Sequence, residues 1–262
     1  MDTAEGWDKH FERMTQKGAD TGNDELEDYV PGQVQIRGSE VALVLQRRGN
    51  RYVSGKIRSW RSLKDMAPHG GVLEVGLRGP KLEGGTVGIW PAVWLLPNGA
   101  SWPMGGEIDL YEVMAFTPEG VKAGFSTLHF GPRPGQDALW PGHWGISLGH
   151  YPWDSGGTHT LRFEWKRENG AWAMKFAVDG REIWRFTTTR HDIFKDFEVG
   201  KPHSADFAPG AAGDPAAIFS RIFDKDLRII CNLAFGGRPF RHVDNVSRAE
   251  MIITHVRVIP HV

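Results

Sequence analysis

The ten residues Gly105 to Met114 (GGEIDLYEVM) set three carboxylates, Glu107, Asp109 and Glu112, into an otherwise apolar, strand-like run. Successive side chains of a strand point to opposite faces, so Glu107 and Asp109 share one face and Ile108 and Leu110 the other. Strict alternation puts Tyr111 on the acidic face. One extra residue inserted as a β-bulge near Leu110 and Tyr111 flips the parity and returns Glu112 to the row. Carboxylates crowded on one face repel, and one of them then keeps a proton, which is the state a general acid needs. At about 3.3 Å per residue, with one residue lost to the bulge, the Cα atoms of Glu107 and Glu112 lie roughly 13 Å apart. Side chains leaning inward by about 3–4 Å each bring the carboxyl groups near the ~5–5.5 Å gap of double displacement at a glycosidic bond. Glu107 would then attack the anomeric carbon and Glu112 would protonate the leaving oxygen. Asp109, between them, would hydrogen-bond Glu107. Taken alone, the pattern more often marks a half-exposed strand with three solvated acids.

The elements that must hold this strand are themselves strands. Gln33 to Gln46 reads as two short strands around Gly38-Ser39, and Arg51 to Trp60 and Gly71 to Arg78 as two more. Arg61 to Gly70 reads as a polar loop. Ala123 to Phe130, Thr158 to Lys166, Ala171 to Val178, Arg181 to Phe186, Leu227 to Ala234 and Met251 to Ile259 complete the set, with Asp179-Gly180 as a hairpin turn. Trp7 to Lys17 has apolar residues at 7, 11 and 14, which fits a turn or two of helix or an irregular lead-in. Pro132 to Asp154 reads as a long aromatic loop holding Trp140, Trp144, Tyr151 and Trp153, and Thr187 to Asp214 as an insertion over one end of the molecule. No repeat or linker interrupts the 262 residues, which suit one large all-β domain.

Composition narrows the function classes. Thirty-one basic against 32 acidic residues give a net charge of -1, so no polyanion partner such as nucleic acid is expected. No apolar run approaches the ~18 residues of a membrane span. Eleven Trp supply flat faces for sugar rings, though at least half are expected in the core. The single Cys231 lies in an apolar run and reads as an inert buried thiol. The eleven His are dispersed without metal-ligand spacing.

The segments flanking the acids carry a resemblance. Gly88 to Pro97 (GIWPAVWLLP) followed by Trp102 to Glu112 (WPMGGEIDLYE) resembles the core signature of glycoside hydrolase family 16, in the bulged ExDxxE form of its laminarinases (endo-1,3-β-glucanases). Asn23 to Tyr29 (NDELEDY) is similar to the family's NNELEYY segment, and Tyr52 to Lys56 (YVSGK) to its TSG strand. Ser126 to Gly131 (STLHFG) and Asn232 to Gly237 (NLAFGG) match its STLHWG and NLAVGG segments in the expected order.

The resemblance implies a concanavalin A-like jelly roll: a β-sandwich of two packed antiparallel sheets with a cleft on the concave face. It implies a retaining endo-glycoside hydrolase acting on β-1,3 or mixed β-1,3/1,4 glucan, with Glu107, Asp109 and Glu112 as the catalytic acids. Trp102 would stack under the sugar at the cleavage point, His129 would stand beside the acids, and Asn23, Trp90, Trp144 and Asn232 would border the cleft. The same machinery on another polysaccharide such as a galactan, glycosyl transfer to a sugar, and a non-catalytic lectin are the alternatives. Two departures stand out. Gly76 occupies the place of a substrate-binding Arg, which Arg78, on the same side of the strand, would replace. Thr254 takes the place of an Asp that binds structural calcium in many relatives, so no cofactor is expected and a calcium site is at most weak. A polysaccharide substrate, a monomer and an extracellular location complete the expectation. The polar start MDTAEGWDKHFERM leaves a cytoplasmic one open.

Overall fold

A computed structural model describes residues 1–82, 86–115, 123–129, 146–152, 156–169, 171–187 and 222–262. The chain begins with two 3-10 turns and runs through β1 (Phe11–Arg13), β2 (Gln16–Lys17), β3 (Glu27–Tyr29), β4 (Val34–Arg37) and β5 (Glu40–Arg48). Next come β6 (Arg51–Ser54), β7 (Lys56–Ser59), the one-turn helix α1 (Leu63–Met66), β8 (Gly70–Arg78), β9 (Ile89–Pro97) and β10 (Glu107–Glu112). The remaining strands are β11 (Ala123–His129), β12 (Ile146–Pro152), β13 (Thr158–Glu168), β14 (Ala171–Val178), β15 (Arg181–Thr187), β16 (Leu227–Phe235) and β17 (Arg248–Pro260).

Two sheets result. One has the order β1-β7-β16-β9-β10-β11-β12; the other runs β15-β14-β13-β8-β17-β5-β6-β3-β2, with β4 beside β5. Leu73, Val75 and Leu77 of β8 meet Ile89, Val93 and Leu95 of β9, Ile108 and Leu110 of β10 and Ile229, Cys231 and Leu233 of β16 in a single buried core. These are the odd positions of β8, β9 and β16, so their even positions face outward. On β9 and β16 that outward face is the groove described below. Cys231 is fully enclosed, and burial pushes its thiol up to about 12, which leaves it protonated and inert.

Several sequence expectations change here. The spacing of Trp7 and Phe11 is not helical: the two rings pack 5.7 Å apart from a 3-10 turn and from β1, and the segment is the irregular lead-in. Arg51 to Trp60 is two strands in different sheets, β6 and β7, parted at Gly55. The polar loop after it contains α1, started by a capping box between Ser62 and Asp65. The aromatic loop contains β12, which pairs with β11 from Ala123↔Pro152 to Leu128↔Ile146, and Tyr151 is buried in the core. Trp140, Trp144 and Trp153, and the insertion from 188 to 214, lie outside the described residues.

The expected role of Arg78 fails for a reason of sheet placement. β8 belongs to the sheet that does not carry the groove, and with Leu73, Val75 and Leu77 pointing inward, Gly76 and Arg78 point out of the sandwich. Arg78 pairs with Glu40 at 3.1 Å. A Cβ at position 76 would lie 2.4 Å from the Thr254 hydroxyl and the His255 ring, so the glycine makes room for a neighbouring strand. Thr254 itself lies beside His255, 3.2 Å from its Nδ1.

Gly106, directly before the first acid, has φ +77°, and a Cβ there would meet the Ile222 side chain at 2.4 Å. Gly106→Ala is therefore expected to destabilise the fold by about 1–3 kcal/mol, the usual cost of a non-glycine residue in this region. Denaturant unfolding monitored by Trp fluorescence measures it; a loss below a few tenths of a kcal/mol would show that the turn tolerates a side chain.

Candidate active site

The bulge lies where the acid pattern requires it. Against β9 the register of β10 runs Ile108↔Leu95 and Asp109↔Trp94, then jumps to Tyr111↔Val93 and Glu112↔Ala92. Leu110 and Tyr111 are consecutive and both enter the core, so Glu112 emerges on the same side as Glu107 and Asp109. All three line one groove of about 300 Å³, with Trp90, Ala92, Trp94 and Leu96 of β9 and Ile230, Asn232 and Ala234 of β16 as its floor. The even positions of two adjacent strands thus build the floor, and their odd positions build the core beneath it.

Each acid has a distinct environment. Glu112 is buried and accepts a hydrogen bond from Trp90 Nε1 at 3.1 Å. Burial first and the nearby Asp109 charge second push its pKa up to about 8, against the opposing pull of His129, Trp90 and Thr127. Asp109 is 3.1 Å from His129 Nε2, and Glu107 is 3.9 Å from the same nitrogen. His129 pairs directly with Glu107 across β10 and β11. Its ring is 5.7 Å from that of Trp102, which is 38% exposed and so presents surface to a ligand. The ligating atoms of Glu107, Asp109 and His129 all lie within 4.8 Å of one another, close enough to hold a cation between them.

The other candidates fall at different depths. Trp90 is nearly buried, and its indole N–H is committed to Glu112, so it orients the acid as well as lining the groove. Asn232 is likewise almost covered: Trp94 Nε1 donates to its Oδ1 at 2.7 Å, and its Nδ2 donates to the Tyr29 hydroxyl at 3.0 Å. Asn23 lines the far end of the groove while its carbonyl accepts from Arg238 N; Asp24 turns away to pair with Arg238. Lys56, Arg58, Glu25 and Trp94 also line the groove, beyond the residues that the acid pattern and the resemblance point to. Period-two parity in GIWPAVWLLP gives Trp94 the same face as Trp90; no sequence signal places Lys56 there.

No family model matches the chain. Among curated relatives it is 29% identical over 182 residues to a glucan endo-1,3-beta-glucosidase A1 of Niallia circulans, covering 65% of this chain and 22% of that protein. It is 29% identical over 161 residues to a glucan endo-1,3-beta-glucosidase of Cryptopygus antarcticus, covering 58% of this chain and 48% of that one. The chain thus spans less than half the length of these two relatives. Among solved structures, the endo-1,3-beta-glucanase of Streptomyces sioyaensis superposes with a TM-score of 0.70 at 20% identity, over 96% of this chain and 89% of that one. In sequence the chain is similar to these endo-1,3-β-glucosidases, and in fold it is also similar to a non-specific endo-β-1,3(4)-glucanase from glycoside hydrolase family 16, with a TM-score of 0.64 at 21% identity over 97% of this chain and 85% of that one.

Proposed function

We propose that the protein is a retaining endo-glucanase that cleaves β-1,3 or mixed β-1,3/1,4 glucan in the groove over β9, β10 and β16. One observation carries this reading: a bulge brings three carboxylates into one groove, with Glu112 buried beside Asp109 so that its carboxyl pKa is pushed up. The carboxylate of Glu107 attacks the anomeric carbon as the bond to the leaving oxygen breaks, and Glu112 gives that oxygen its proton. Glu112, now ionised, takes a proton from water, whose oxygen attacks the same carbon and releases Glu107. His129, 3.1 Å from Asp109 and 3.9 Å from Glu107, stands between the two carboxylates and orients the nucleophile. A polymeric substrate also favours an extracellular location.

Incubation with laminarin, lichenan, curdlan and agarose, followed by sizing of the fragments, tests the proposal. A ladder of oligosaccharides from laminarin or lichenan, with the β-anomer formed first by NMR, is the expected result. Fragments from agarose alone would assign the machinery to a galactan. Glucan binding without new reducing ends would leave a lectin.

A further inference from the structure

At the end of the groove opposite β11 stand two cations, Lys56 and Arg58; Arg58 pairs with Glu12, whereas Lys56 has no carboxylate partner among the described residues. Lys56 is buried on β7, and its Nζ lies 5.0 Å from the centre of the Tyr29 ring and 5.2 Å from that of Trp94. Its one hydrogen-bond acceptor among the described residues is Gln16 Oε1, at 2.9 Å. An ammonium has three N–H donors, so two remain for whatever enters the groove that Lys56 lines. Burial lowers its pKa, whereas Glu25, Glu27 and Glu107 pull the other way and favour the charge.

The sheet register fixes how far this cation is from the chemistry. Lys56 pairs with Asn232, Asn232 with Ala92, and Ala92 with Glu112. Three steps between neighbouring strands put the Lys56 Cα about 14 Å from that of Glu112, and the side chain reaches over Trp94 towards the acids, so its ammonium would meet a sugar roughly two to three units from the general acid. The same row holds the Trp94–Asn232–Tyr29 hydrogen bonds, and Tyr29 donates onward to Glu25 at 2.8 Å. Those bonds use the indole N–H and both ends of the Asn232 amide, which leaves the charged donors of Lys56, and of Arg58 where Glu12 does not hold it, to meet a ligand there. Glu25, Glu107, Asp109 and Glu112 outnumber Lys56 and Arg58 in the same groove, which favours the oxygens of an uncharged sugar over a carboxylate or sulfate.

We infer that Lys56 is a specificity-determining residue that donates hydrogen bonds to an uncharged sugar about two to three units from the scissile bond and thereby makes the enzyme select long chains. This rests on the groove being the glycan cleft. The ammonium is held by Gln16 and the two rings, so it meets substrate already oriented, and a substrate too short to reach it gains nothing.

The test is the ratio of kcat/KM on laminaripentaose to kcat/KM on an aryl laminaribioside. In Lys56→Met, which keeps the length of the side chain and removes the donors, the ratio is expected to fall about tenfold to hundredfold, the scale of hydrogen bonds to a charged donor. Gln16→Met, which removes only the anchor of the ammonium, is expected to shift the ratio in the same direction by less. Equal losses on both substrates would show that Lys56 merely supports the fold, and an unchanged ratio would show that it touches no sugar; either overturns the inference alone. A wild-type protein inactive on both substrates would instead overturn the reading of the groove, and the inference with it.

Discussion

Glu107→Gln is expected to lower glucan hydrolysis by about 10⁴-fold or more, equivalent to about 5.5 kcal/mol of transition-state stabilisation, while glucan affinity changes by no more than a few-fold. The amide has the size of the carboxylate and can accept a hydrogen bond, so the groove keeps its shape. What it loses is the negative charge that makes the carboxylate oxygen nucleophilic towards the anomeric carbon. His129, 3.9 Å from Glu107 and 3.1 Å from Asp109, still has Asp109 to pair with. The substitution also removes one of the negative charges that face one another in the row. Relief of about 1 kcal/mol of repulsion in a chain of this size should raise Tm by about 2–4 °C. Calorimetry on laminarin and a thermal scan read the two effects separately. Residual hydrolysis at the wild-type rate would remove Glu107 from the chemistry; a lower Tm would show that the row is not repulsive at that position.

How much of this was legible beforehand depended on whether the deciding contact is local in sequence. The bulge was, because GGEIDLYEVM has only one way to bring three acids to one face while Ile108 and Leu110 stay in the core. The Asp179-Gly180 turn was, because positive φ at both residues, 50° and 78°, is what that pair accommodates. Trp90 and Asn232 were placed at the groove, but their partners Glu112, Trp94 and Tyr29 come from other strands, so their role as supports was not visible. Lys56 escaped for the same reason: Gln16, Tyr29 and Trp94 enclose it from three separate segments. Arg78 shows the complementary failure. Parity correctly put it on the side of Gly76, but alternation does not say which of two sheets a strand joins, and β8 joined the sheet away from the groove. β12 was hidden because Gly149 and Pro152 in ISLGHYP read as loop residues, whereas the ladder with β11 makes them strand.

Glu112→Gln is expected to change both the rate and its dependence on pH. In the wild type the proton on Glu112 is held with a pKa of about 8, so kcat/KM should fall as pH rises through that value. The variant has no proton to give: hydrolysis of laminarin should drop about 10²–10⁴-fold. A dinitrophenyl glycoside, whose leaving group departs without a proton, should lose far less in the first step. Azide should then rescue the corresponding Glu112→Ala variant, because it attacks the glycosyl intermediate without a general base. The same pKa fixes the sign of a stability effect. The folded value of about 8 lies above the unfolded value of 4.5, so between these two pH values the unfolded chain has lost a proton that the folded one keeps. Stability therefore falls as pH rises through that window, by up to about 1.4 kcal/mol per pH unit, and levels off above it. Gln carries no such proton and its Oε1 can still accept from Trp90 Nε1, so the variant should match the wild type near pH 4 and exceed it at pH 8 by a few kcal/mol. Urea unfolding at a series of pH values measures the difference. If the two proteins keep a constant gap across the window, Glu112 is ionised in the folded state, and a groove with three charged carboxylates has no general acid in it.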